Sequence, residues 1–190
     1  MSLFQMAKDY INSQYPDEEA RSQSASSWQG PFILPNKLSD YYQHFGPVDL
    51  RLGGSYSPFY LPCLDELWQY QAGYGYDPGS GILLEGWSHD WLAIGDDGYR
   101  PFIFSISSGK ILFDPYSDGM WEPTVLFSSL EEMIQILCVV GSIIASADND
   151  LRDHSLVIKR KYKEDAFLRV VEMTRSLEKA ETILTLLSWY

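Results

Sequence analysis

The sequence predicts an α+β fold: a single domain with a central sheet, mixed but mostly antiparallel, and helices before and after it. Apolar residues recur at helical spacing toward both ends of the chain, and period-two runs occupy the middle. The turns that separate those runs are too short to hold a crossover helix, so neighbouring strands must run antiparallel.

Taken in order, Leu3, Phe4, Met6, Ala7 and Ile11 place an amphipathic helix over residues 2–14. The polar, Ser-rich stretch 16–30 reads as a loop. Leu38, Tyr41, Tyr42 and Phe45 share one face of a short helix that starts after Pro35 and stops at Gly46. Val48, Leu50 and Leu52 alternate with Asp49 and Arg51, which predicts one half-buried strand ended by Gly53 and Gly54. Phe59–Leu61 reads as a second strand, Leu64–Tyr70 as a helical turn or two, and residues 73–81 as a glycine-rich loop. Strands are predicted at Trp91–Ile94, Phe102–Ile106 and Ile111–Phe113. Asp96-Asp97-Gly98 and Ser107-Ser108-Gly109-Lys110 between them are turn chemistry, because Asp and Gly tolerate positive φ. After a Pro-bearing loop, Ser129 and Glu132 form a capping box for an apolar helix from Leu130 to about Ala147. A polar break at Asp148–Asp153 precedes one last helix near Glu164–Leu187. The predicted organisation is an N-terminal helix and loop (1–33), an α+β core (34–147) and a helical extension (148–190).

At 190 residues with 45 % hydrophobic content, the chain can bury a core without disulfide or metal support. Cys63 and Cys138 read as free thiols in a reducing compartment, and no export signal opens the sequence. The apolar run Met133–Ala147 is shorter than the ~20 residues of a bilayer span. A cytoplasmic location is the expectation. Net charge is −12 and uneven: residues 1–150 carry 20 acidic against 6 basic side chains, a net of −14, while 151–190 carry 6 against 8. That field repels nucleic acid and anionic lipid and favours a basic partner.

Catalytic and metal patterns are weak. His44, His89 and His154 are isolated from other metal ligands. Asp114–Asp118 begins like a calcium loop, but Tyr116 holds the third position and Val125 the twelfth, where a bidentate Glu belongs. No Gly-x-Ser-x-Gly elbow is present, and glycines 73, 75, 79 and 81 do not sit between a strand and a helix as a phosphate cradle must. No cofactor is expected. The pairs Asp96/Asp97 and Asp114/Asp118 would serve a hydrolase only if they shared a cleft. What stands out is an aromatic and acidic cluster: Trp87, Asp90, Trp91, Asp96, Asp97, Tyr99, Asp114, Tyr116, Asp118, Trp121 and Glu122. Rigid aromatics ringed by carboxylates suit a protein-binding surface; equally, the indoles can be core and the acids turn residues.

Several blocks, in order, resemble the SUKH superfamily. They are Leu34-Pro35, His44-Phe45-Gly46-Pro47 with Leu50-Arg51-Leu52-Gly53-Gly54, and Leu64-Asp65-Glu66-Leu67-Trp68-Gln69-Tyr70-Gln71. Trp91-Leu92-Ala93-Ile94-Gly95-Asp96-Asp97-Gly98 follows, then Pro101-Phe102-Ile103-Phe104 and Ser108-Gly109-Lys110-Ile111. Trp121-Glu122-Pro123 and Phe127–Met133 complete the set. The resemblance implies a catalytically inert protein-binding module. In bacterial members that means an immunity protein that neutralises a cognate toxin, often a nuclease; in yeast members, a regulatory scaffold of cell-wall synthesis. On that expectation Asp90, Asp96, Asp97, Asp118 and Glu122 steer a basic toxin while Trp87, Tyr99, Tyr116 or Trp121 anchors it. Homodimerisation stays open. Two departures from the family pattern are Tyr99-Arg100 before Pro101 and the helical sequence beyond Glu164.

Overall fold

Ser2 accepts a hydrogen bond from the Gln5 amide and opens α1 (Leu3–Gln14), which buries Phe4, Ala7 and Ile11. The computed structural model describes residues 2–15, 18–53, 59–116 and 121–190. The stretch expected to be a plain loop contains β1 (Glu19–Ala20), and Glu18 accepts the Arg51 amide at 2.7 Å. Helix α2 (Asn36–His44) ends at Gly46, whose φ is +58°. A Cβ there would lie 1.8 Å from the Arg21 carbonyl oxygen, so only glycine fits.

The single strand expected from Val48 to Leu52 is two. β2 (Pro47–Val48) pairs with β1, and β3 (Leu50–Leu52) belongs to the main sheet. Asp49, at φ 51°, turns the chain between them, and its carboxylate accepts the Tyr60 hydroxyl (2.8 Å) and the Cys63 amide (3.2 Å). β4 is Phe59–Leu61. The expected glycine-rich loop carries a small hairpin, β5 (Tyr76–Asp77) with β6 (Ile82–Leu83). Then come β7 (Trp91–Asp96), β8 (Pro101–Ser105), β9 (Ile111–Phe113) and β10 (Thr124–Phe127). The six-stranded sheet has the order β10-β9-β8-β7-β4-β3, and every pairing is antiparallel. β10 is an addition to the predicted meander.

β4 meets β7 only at Tyr60 and Asp96, so the first half of β7, paired with β8 on one side, has no strand on its β4 side. The buried side chain of Gln71 fills that place. Its Nε2 donates to the Ala93 carbonyl at 2.8 Å, and its Oε1 accepts the Ala93 amide at 3.0 Å. One side-chain amide thus stands in for a peptide of a neighbouring strand.

Helix α3 (Leu130–Ala147) packs against α1, β3 and β10, and Gly141 approaches so closely that a Cβ would lie 2.9 Å from that of Leu52. Ser129 caps α3 through the Glu132 amide (3.2 Å); Glu132 answers on Ser128, amide and hydroxyl both at 2.6 Å, and reaches Lys179. With the turn that follows, this helix spans 21 residues at a mean hydropathy of 1.6, longer than the run counted from sequence and apolar enough to cross a bilayer. Here 61 % of its apolar window is buried inside the protein, as in a core helix. The predicted last helix is two, α4 (Arg160–Thr174) and α5 (Leu177–Leu186), separated by Arg175 at φ 54° and restarted by the cap Ser176. Side chains from α1 through Trp189 join one hydrophobic core, so this is one α+β domain.

Candidate functional site

Strand register divides the predicted cluster. Asp90 precedes β7 at the end where Trp91 faces Ser105, whereas Asp96 faces Pro101 at the other end. Phe113 faces both Phe102 and Thr124, so Asp114 and Glu122 lie at the Asp96 end too. Six residues of β7 hold the two ends about 17 Å apart. Asp118 lies outside the described residues.

Most of the placed acids organise their own turns. Asp90 accepts the Ser105 hydroxyl and the Ser107 amide, both at 2.7 Å. Partial burial raises its pKa, but those hydrogen bonds outweigh that and hold it below the usual carboxylate range. Asp96 is buried and accepts the Tyr70 hydroxyl (2.5 Å) and the Gly98 amide (2.7 Å). Burial, then the Asp96 charge, pushes the Tyr70 hydroxyl far above the ordinary range. Asp97 instead grips Arg100, accepting its Nε at 2.9 Å and its backbone amide at 3.0 Å. Asp96 and Asp97 therefore do not converge as an acid–base pair. Asp114 is buried and fixes the start and end of its loop, accepting the Tyr116 amide (2.9 Å) and the Glu122 amide (2.8 Å). Glu122 itself is exposed.

The indoles separate as well. Trp87 is 4 % exposed and donates to the Trp91 carbonyl at 3.1 Å. It packs edge-on between Trp91 (5.5 Å) and Trp121 (4.9 Å). Gly75 lies against it, where a Cβ would come within 2.2 Å of the indole nitrogen. Trp87 is thus a core residue, contrary to the expectation that it anchors a partner, and Trp121 is half-buried beside it. Tyr99 and Tyr116 are the exposed aromatics, at 90 % and 78 %. Both lie at the Asp96 end.

Beside Tyr99 opens a groove of about 700 Å³, which sequence reasoning did not anticipate. Its walls are the β7–β8 turn, the segment 148–158 after α3, and the chain after α5. Phe59, Ile144, Ile158, Leu187 and Trp189 supply buried apolar lining, and Tyr99 and Leu156 are its exposed hydrophobic members. Arg152 forms a bridge with Ile158 and donates to the Leu156 carbonyl at 2.7 Å, closing a tight hairpin. Arg100 is fixed by Asp97, by the Ser188 hydroxyl (3.1 Å) and over the Phe113 ring (4.8 Å). Asp148 receives the Asn149 amide group at 3.0 Å and makes no ion pair among the described residues.

Backbone strain concentrates here. Among the described residues, five non-glycine residues have positive φ, and three of them line this groove: Asp148 (46°), Leu156 (63°) and Ser188 (62°). Asp148 and Ser188 end helices, where glycine is the usual occupant. Leucine has no such precedent, and its left-handed conformation costs about 1–2 kcal/mol. Side chains that glycine would lack are kept at both helix ends: the Ser188 hydroxyl that fixes Arg100 and the Asp148 carboxylate. The residue types at 148, 156 and 188 do not signal this: Asp tolerates the left-handed helical region, but Asp148, at φ 46° and ψ −130°, lies outside it.

Among the described residues no three His, Cys, Asp or Glu side chains assemble as metal ligands. Comparison with known proteins found no matching family model, curated protein or solved structure.

Proposed function

We propose that this chain is a non-catalytic protein-binding module of the SUKH type, acting in the cytoplasm as an immunity protein that neutralises a basic toxin by direct binding. One observation carries the reading. A strained, mostly apolar groove with exposed Tyr99 and Leu156 on its rim opens on a chain of net charge −12. Exposed tyrosine beside an apolar recess is the chemistry of protein contact, since it offers large rigid area at little entropic loss. Local strain maintained around a recess supports binding there. The acids add long-range attraction for a cationic protein and repel nucleic acid. Their short-range hydrogen bonds are committed to turns, which speaks against a hydrolase built on Asp96 and Asp97.

Co-expression with the toxins encoded beside its gene tests the proposal. Protection of the host cell, and a complex that survives gel filtration, is the expected result. Failure to protect against or bind any of them would overturn it, and the scaffold role of the yeast family members would then take precedence.

A further inference from the structure

Resting on the protein-capture reading, we infer that the groove receives one bulky apolar side chain of the partner, with a Lys or Arg beside it meeting Asp148. The lining dictates the apolar part: Phe59, Ile144, Leu187 and Trp189 form a recess of about 700 Å³, larger than any single side chain, so the surrounding backbone of the partner enters too. Charge dictates the rest. Two carboxylates and two guanidiniums line the groove. Asp97 and Arg100 satisfy each other, and Arg152 braces the hairpin through the Leu156 carbonyl. Arg152 makes no ion pair among the described residues either, but its guanidinium is directed onto that carbonyl, whereas Asp148, also without an ion pair there, is held at φ 46° where glycine would be easier. A carboxylate kept at such a position beside an apolar recess selects a cation next to an apolar group. Leu156 fits the same account. Left-handed backbone holds it 74 % exposed on the hairpin, where contact with a partner would remove its apolar surface from water.

The experiment uses the full chain and, as probe, the purified toxin against which wild type protects, with affinity and thermal melting measured for each variant. Asp148→Asn is close to isosteric and removes the charge; affinity should fall about tenfold, with a weaker dependence on salt. Leu156→Gly relieves the backbone, so Tm should hold or rise while affinity falls at least about tenfold, a split that a purely structural leucine would not produce. Tyr99→Ala should likewise weaken binding at unchanged Tm. Ile82→Ser, at an exposed position of β6, should bind as wild type does. Wild-type affinity in both Asp148→Asn and Leu156→Gly would overturn the inference and leave the capture reading standing. A wild-type chain that binds no toxin would overturn both.

Discussion

Replacing Gln71 tests whether a side chain really serves as the missing strand beside β7. Its amide makes three hydrogen bonds: Nε2 to the Leu67 and Ala93 carbonyls, both at 2.8 Å, and Oε1 from the Ala93 amide at 3.0 Å. Gln71→Leu fills similar volume but takes the partner from three groups in a fully buried place, the Ala93 amide and the Ala93 and Leu67 carbonyls. At about 1–3 kcal/mol for each of the three groups, less about 1–2 kcal/mol for the added apolar burial, the net loss is about 1–8 kcal/mol. Urea unfolding followed by circular dichroism reads this as a lower midpoint at unchanged slope. Gln71→Glu sharpens the test. Ionised, its carboxylate faces two carbonyl oxygens and lacks water, so its pKa in the folded state must rise above the unfolded value. The folded variant then binds the extra proton more tightly, and its deficit relative to wild type shrinks as pH falls from 7 toward 4.5. A Gln71→Leu protein within about 0.5 kcal/mol of wild type, or a Glu variant whose deficit is independent of pH, would refute the reasoning.

Trp87→Ala should lower stability by about 3–5 kcal/mol, because the indole is core; bound-state affinity of whatever remains folded should be near wild type, measured by titration below the melting transition. Glu132→Gln should lower stability by about 1–2 kcal/mol at pH 7 by loosening the Ser128 and Lys179 contacts that tie α3 to α5. Burial raises the Glu132 pKa, but Lys179 and Ser128 outweigh it and lower it overall. Its contribution is therefore present above the unfolded carboxyl pKa and lost as pH falls through the lower folded one, and the variant should match wild type in strong acid. Burial pushes the Cys138 thiol up to about 12, so a thiol reagent at pH 8 should leave it unlabelled until urea unfolds the chain; rapid native labelling would contradict its placement.

The hairpins of β7, β8 and β9 were legible because short apolar runs alternate with Asp-Gly and Ser-Gly turns, signals that act within a few residues. The same locality explains α3, whose cap and apolar run predict a helix from Leu130 to about Ala147, where it ends. Failures came where one residue's conformation overrides its neighbours' pattern. Asp49 interrupts a faultless alternation by turning left-handed to bind Tyr60 and Cys63, partners remote in sequence. Arg175 divides a continuous helical pattern although nothing in its type breaks helices. Thr124–Phe127, in the stretch ahead of α3 read as a Pro-bearing loop, instead forms β10 against β9, a choice made by tertiary contact. In the binding cluster, residue types were legible but burial was not: Gly75 closing on Trp87 turns a candidate anchor into core. The groove was invisible for a stronger reason. Its walls come from segments near residues 97–100, 148–158 and 187–189, brought together only when the sheet and the last helix close on α3.

Acid turns and groove act over different distances, and this assigns them different work. A carboxylate whose oxygens already accept local amides, as in Asp90, Asp96 and Asp114, has little left to offer at hydrogen-bond range. Its charge is nonetheless undiminished and is felt within a Debye length, about 10 Å at 0.1 M salt. Such groups accelerate encounter with a cationic protein without adding much to the grip once it is seated. Contact that resists separation needs apolar area and a cation partner at short range, which the groove provides through Tyr99, Leu156 and Asp148. Neutralising exposed acids such as Glu122 should therefore slow association, most at low ionic strength, whereas the apolar groove substitutions Tyr99→Ala and Leu156→Gly should hasten dissociation at any salt. Were the two sets of variants to alter the same rate constant, the division of labour between field and groove would fail even with binding itself intact.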